Sequence, residues 1–296
     1  ASDDRGTVIV GLNISCTLNN QSVGDVLTDN NGTATLLYQS NVTDTCTYIV
    51  SGIPDKDFAD VLEEMKNNLS DFTDFLDLYA RNVLKTGLLT VYSSNSFHSL
   101  SRVIQKALQT GVLNLSHDFV KESSEFSRYR NGISLPSRSL IINGNGFAID
   151  ANNSGFIFKL NRANLTLYNL TLKNADSDTY GACISSVNST VILDNCTLIN
   201  NKALGSASID ASSDSRIYVN NSYFANNTAS LKDGGAISGV ESLVYIENSV
   251  FENNRALENG GAIKILNDGN LTVVNSRFIN NTANGSASLS YGGAVY

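Results

Sequence analysis

Chemistry in this sequence would have to come from a small set of aromatic and acidic side chains, because it offers two histidines, four cysteines and no tryptophan. Tyr168 precedes Asp194 by 26 residues, Tyr218 precedes Tyr245 by 27, and Glu247 follows two residues later. Aromatic faces beside carboxylates make a platform for a sugar or a peptide. Tyr168, Asp194, Tyr218, Tyr245 and Glu247 are therefore the candidate ligand-binding residues. The plainer alternative is a row of ordinary surface tyrosines stacked on a sheet.

Catalysis has less behind it. Enzymes that cut polysaccharides need clustered carboxylates with an Arg, His or calcium partner. Here His98 and His117 precede the repeats described below, and Asp194, Asp210, Asp233, Glu247 and Asp268 fall at different positions within them. No Ser-His-Asp, Cys-His or phosphate-loop signature occurs, and Asp194-Asn-Cys-Thr and Asp233-Gly-Gly lack the spacing of a calcium loop. The expectation is no enzyme, no cofactor and no metal. The cysteines form two local pairs, Cys16/Cys46 and Cys183/Cys196, without Cys-x-x-Cys or a nearby His, which argues against zinc. Both pairs are disulfide candidates in an exported chain; for the second, two buried free thiols filling small slots is the alternative. Sixteen Asn-x-Ser/Thr triplets occur, and Asn13, Asn41, Asn114, Asn164, Asn195, Asn226 and Asn280 among them are glycosylation candidates. A chain this rich in Asn, Ser and Thr also makes such triplets by chance.

The elements that would position these residues show first as a repeat. Phe-x-Asn-Asn-x-Ala occurs at Phe224–Ala229, Phe251–Ala256 and Phe278–Ala283, with Leu198 and Leu172 opening two variants. The intervals are 26, 26, 27 and 27 residues. Between the copies stand Gly234-Gly-Ala-Ile237, Gly260-Gly-Ala-Ile263 and Gly292-Gly-Ala-Val295, with Gly181-Ala-Cys-Ile184 as a variant. Aligned on the Phe/Leu, two apolar columns emerge: Leu165, Val191, Ile217, Val244, Leu271 and Leu167, Leu193, Val219, Ile246, Val273. Apolar columns two residues apart mean a strand with one buried face. Asn169, Asn195, Asn221, Asn248 and Asn275 precede the Phe/Leu by three; Asn174, Asn200, Asn226, Asn253 and Asn280 follow it by two. Asn tolerates the left-handed backbone of a corner, and its amide can bond to the coil above or below. One such coil cannot bury its own apolar face but stacked coils can, so the repeat predicts a parallel β-solenoid. Ser96 as N-cap and an apolar face of Phe97, Leu100, Val103, Ile104, Ala107 and Leu108 predict a helix, ended by Gly111, that covers the open end of the stack.

That cap helix, Leu-Asn-Leu at 113–115, Ile-Asn-Gly-Asn-Gly at 142–146 and the recurring Gly-Gly-Ala-Ile with Phe-x-Asn-Asn resemble the large adhesin-like surface proteins of methanogenic archaea. The Gly-Gly-Ala-Ile and Phe-x-x-Asn pair is also similar to the repeats of chlamydial polymorphic outer-membrane proteins. The resemblance covers about residues 90–296. It implies a right-handed parallel β-helix, exposure at the cell surface or cell wall, and adhesion to glycans or proteins of a host or partner cell. A carbohydrate-active β-helix enzyme, or an inactive relative of one, is the alternative.

The first third is different material. Short alternating strands over 1–53, at Thr7–Val10, Leu12–Ile14, Val26–Leu27, Thr33–Tyr38 and Thr47–Val50, with a turn at Thr28-Asp-Asn-Asn-Gly32, resemble the small Ig-like modules strung along such adhesins, although 53 residues is short for a sandwich of about 100. Residues 54–90 predict an amphipathic helix, since Phe58, Leu62, Met65, Leu69, Phe72, Leu76, Tyr79 and Val83 keep a heptad seam. It would either dock on the β module or form an oligomer through residues 58–83. The β-helix then occupies 91–296 and stops within a repeat, which reads as a fragment of an exported protein whose anchor lies elsewhere. A net charge of −8 with no Lys/Arg cluster argues against nucleic acid or anionic lipid. No apolar run is long enough to insert in a membrane.

Overall fold

The computed structural model describes residues 13–18, 21–27, 29–31, 44–53, 84–91, 94–206, 208–284 and 291–296. They fall into two compact units, 1–94 and 95–296.

In the first unit, β1 (Asn13–Leu18), β2 (Gln21–Leu27), β3 (Asp44–Ile53) and β4 (Leu84–Val91) form one antiparallel sheet in the order β2-β1-β3-β4. β4 corrects the sequence reading: residues 84–90 are not the end of a helix. Leu84-Lys-Thr-Gly-Leu-Leu-Thr-Val91 runs antiparallel to β3, whose ladder pairs the backbone groups along one of its edges. The β module therefore extends past residue 53, which is why 53 residues looked short. The heptad seam from Phe58 to Val83, the oligomer expected from it, and the strands expected at 7–10 and 33–38 lie outside the described residues.

The second unit is a parallel β-helix of about seven coils, each wrapping through up to four sheets. Sheet I runs from Ile133–Pro136 to Ile263–Leu266, sheet II from Val112–Asn114 to Asn270–Val274, sheet III from Phe119–Val120 to Arg277–Ile279, and sheet IV from Asp176–Ser177 to Thr282–Ala283. Neighbouring strands pair in parallel, and the register joins Leu165, Val191, Ile217, Val244 and Leu271 in one row, as the columns predict. Leu165, Leu167, Val191, Leu193, Ile217, Val219, Val244 and Ile246 are buried in the interior beside the stacked rings of Phe224 and Phe251. Burying each such side chain contributes about 1.5–3 kcal/mol.

Corners follow from backbone chemistry. Both predicted Asn columns adopt left-handed φ, between 46° at Asn169 and 56° at Asn200, a conformation that costs most L-residues about 1–2 kcal/mol. The continuous amide ladder, however, runs one residue further on. Asn201, Asn227 and Asn254 are fully buried; each donates from Nδ2 to the next Oδ1 at 2.9–3.0 Å, the last to Asn281. Each Oδ1 from Asn227 onward also accepts the backbone N–H of the Asn before it. A hydroxyl ladder does the same at the sheet II/III corner, where Ser222, Ser249 and Ser276 accept the N–H groups of Cys196, Ser222 and Ser249. The Gly-Gly-Ala-Ile turn needs both glycines. At Gly260 φ is +63° and a Cβ would overlap the Ile263 carbonyl; at Gly261 it would overlap the carbonyl of Gly293 in the next coil.

Helix α1 (Phe97–Ala107) covers the first coil with buried Phe97, Leu100, Ile104 and Ala107, while Val103 is exposed. Ser96 Oγ accepts the Ser99 N–H at 3.2 Å, as an N-cap does. The helix ends at Ala107 with Leu108 as C-cap, so Gly111 lies beyond it, in a turn with φ +79°.

Candidate functional site

The outer face of sheet II is where the predicted binding residues meet. Outward positions alternate with buried ones, so Val112, Ile141, Thr166, Ile192, Tyr218, Tyr245 and Thr272 form one exterior row across seven strands. Beside it runs a polar row: Asn114, Asn143, Tyr168, Asp194, Asn220, Glu247. The register pairs Tyr218 with Tyr245 and Tyr168 with Asp194, and the Tyr245 hydroxyl donates to Glu247 Oε2 at 3.4 Å. Asp194 Oδ1 accepts Nδ2 of both Asn220 and Asn221 at 3.1 Å. One carboxylate oxygen is thus tied to the corner while the residue stays partly open. Tyr168 is 40% and Tyr218 36% exposed. All five sequence candidates therefore share one face. Asn220 stands between Asp194 and Glu247 in this row, one strand from each. Ile192 and Asn220 belong to the same surface and were legible from the same columns, while Asn143 joins it through the register with Tyr168.

A second feature is a groove of about 480 Å³ between the segment 126–130 and the first strand of sheet IV. Phe126, Arg130, Asn153, Asp176, Asp178 and Lys202 line it. Arg130 pairs with Asp178, and Lys202 with Asp176 at 3.8 Å. Sequence reasoning missed it because Arg130 lies in irregular chain outside the repeat. Elsewhere, burial raises the Asp210 carboxyl above its ordinary range although the Ser206 hydroxyl donates to it at 2.9 Å. His98 stays with the cap, its Nδ1 3.2 Å from the Tyr129 hydroxyl; burial, then Arg128 and Arg102, lower its pKa. Among the described residues no three of His, Cys, Asp and Glu could hold a metal ion, and no helix is long and apolar enough to cross a membrane.

The cysteine pairs come out differently from the disulfide reading. Cys183 and Cys196 are buried free thiols. They face different corners: Cys196 Sγ donates to the Leu167 carbonyl at 3.3 Å, whereas Cys183 is hydrogen-bonded by the Asn201 side chain. In the first unit Cys16 is opposite Val50, four residues along β3 from Cys46. At about 3.4 Å per residue that offset is roughly twice the 7 Å a bridge can span. Of the glycosylation candidates, Asn114, Asn164, Asn195, Asn226 and Asn280 are exposed, Asn13 lies on β1, and Asn41 is outside the described residues. In Asn226-Asn227 the triplet's Asn is the exposed corner and its neighbour the buried ladder amide.

No curated protein and no solved structure matches the chain. Residues 154–295, just under half of it, match the family described as the right handed beta helix region, which agrees with the coil geometry and gives the solenoid its hand.

Proposed function

We propose that this chain is a non-catalytic, adhesin-like module of the cell surface that binds glycans or proteins of a partner cell through the outer face of sheet II. The β-helix occurs in adhesins and in carbohydrate-active enzymes alike, so the reading rests on the face and not on the fold. The observation that carries it is the side-by-side alignment of the Ile192–Tyr218–Tyr245 row with the Tyr168–Asp194–Asn220–Glu247 row. Flat rings beside amides and carboxylates suit the apolar faces and hydroxyl edges of a sugar. The acidic balance of −8 fits partners other than nucleic acid.

The carbohydrate-active alternative has one feature in its favour, the groove where Asp176 and Asp178 meet Arg130 and Lys202. A glycan array run with a polysaccharide-degradation assay separates the two. Binding without turnover, weakened at least about tenfold in a Tyr218→Ala/Tyr245→Ala variant, is the expected result. New reducing ends or unsaturated products, lost in Asp176→Asn or Asp178→Asn, would make the protein an enzyme.

A further inference from the structure

Away from sheet II, a buried amine and carboxylate meet between adjacent coils. Asp233 sits immediately before one Gly-Gly-Ala-Ile turn, and Lys264 lies on the sheet I strand Ile263–Leu266 of the next coil. Both side chains are only 10% exposed, and Lys264 Nζ contacts Asp233 Oδ2. The other oxygen, Oδ1, accepts two N–H groups from one residue: Asn259 N at 2.8 Å and Asn259 Nδ2 at 2.9 Å. That amide is itself oriented, because its Oδ1 accepts the Tyr291 N–H at 2.9 Å and so turns the NH₂ toward Asp233. An amine at one carboxyl oxygen and two fixed donors on the other is the arrangement acyl transfer requires: a positioned nucleophile and an oxyanion hole.

We propose that Lys264 and Asp233 condense into an isopeptide bond that joins two neighbouring coils covalently. One ammonium proton passes to Oδ2, and the neutral Nζ attacks Cγ. The oxyanion forming on Oδ1 is held by the two Asn259 donors. A second amine proton reaches Oδ2, the Cγ–Oδ2 bond breaks, and Oδ2 leaves as water. Of the three ammonium protons one stays on the amide nitrogen and two depart in the water; nothing is oxidised or reduced. The product keeps both Asn259 hydrogen bonds on its carbonyl, removes two buried charges, and closes a loop between residues 31 apart in sequence. The corresponding sheet I positions in the preceding coils are Ser238, Asp210, Ser185 and Lys159; the Lys159 amine lies 4.3 Å from the centre of the Phe156 ring, so among these five positions Lys264 alone brings its amine onto a carboxylate.

Denaturing intact-mass measurement with peptide mapping tests it on the full chain. The folded protein should weigh one water less than its sequence and yield a branched tryptic peptide linking the Asp233 and Lys264 segments. Lys264→Arg and Asp233→Ala should each restore the full mass. Asn259→Ala, which removes one of the two donors, should slow bond formation by about 10²-fold. The proposal fails if folded wild type keeps the full sequence mass after prolonged incubation. It fails equally if the water is lost from a linear peptide at Asp233-Gly234 and still lost in Lys264→Arg, the mark of an aspartyl imide.

Discussion

Asn253 and Asn254 are adjacent, chemically identical and structurally opposite. Asn253 turns the corner with φ +53° and an exposed side chain; Asn254 is fully buried. Asn254 Oδ1 accepts from both N and Nδ2 of Asn227, and its Nδ2 donates to the Phe224 carbonyl at 3.0 Å and to Asn281. Asn254→Ala strands an amide, a backbone N–H and a carbonyl in a dry interior, at about 1–3 kcal/mol for each group left unpaired. With partial relaxation, urea unfolding should show a loss of about 3–4 kcal/mol. Asn253→Gly should cost less than about 0.5 kcal/mol, because glycine accepts the same φ. Equal losses at the two positions would mean the ladder carries no net stability. The sequence displays both Asn columns, yet the alternation that separates inside from outside on a strand breaks at a corner. Side-chain direction there is set by left-handed backbone, which is why the buried column was not singled out.

The capping element depends on two buried charges, Lys121 and Glu125, that no periodicity reveals. Glu125 accepts the N–H groups of Phe97 at 3.0 Å and His98 at 2.6 Å, placing a carboxylate at the positive end of α1. Lys121, fully buried nearby, donates to the carbonyls of Tyr129, Ser154 and Phe156 and lies 4.7 Å from the centre of the Phe97 ring. Burial lowers its pKa to about 8, with Glu125 acting in the opposite sense. Unfolded, the same lysine titrates near 10.5. Between those values the unfolded chain binds the proton more tightly, so this group adds stability as pH rises from about 8 to 10.5. Below about 8 both states are protonated and its contribution is constant. The thiols of Cys183 and Cys196 work the other way, since burial raises both, Cys196 to about 11. A Lys121→Met variant keeps both cysteines, so the wild-type-minus-variant difference in unfolding free energy isolates the lysine. That difference should move on the order of 2–3 kcal/mol in favour of wild type across the interval. A flat difference would show that Lys121 titrates normally in the folded chain. Helix α1 was readable from its apolar face and N-cap, but Lys121 sits in a loop and Glu125 in the single 3-10 turn Ser123–Glu125, where local pattern says nothing about which charges are buried.

At the scale of the whole solenoid, stability should depend on how many neighbours a coil has, because each coil contacts chiefly the one before and the one after. This is also why the coils of residues 95–296 could be read more fully from sequence than the first unit, where β1, β2 and β3 overlap expected strands but β4 was not foreseen. A repeat supplies independent copies of the same inside/outside pattern, whereas β4 occurs once, directly after a heptad seam whose period carried the expected helix on to residue 90. Phe251 and Phe278 give the test. The Phe251 ring stacks on Phe224 with centroids 4.7 Å apart and on Phe278 at 5.1 Å, and it is fully buried. Among the described residues Phe278 stacks on one ring, that of Phe251; it is half-buried and shares its coil with Val273, which is 39% exposed. Truncating a ring packed on both faces loses its transfer energy and leaves a cavity that two rigid coils cannot close, about 3–5 kcal/mol. At Phe278 less apolar surface leaves water in the native state and solvent can fill the gap. Phe278→Ala should therefore cost less than half as much as Phe251→Ala in urea unfolding at constant m-value. Equal penalties would mean that this chain unfolds as a single block, with the Phe278 coil as firmly held as the Phe251 coil.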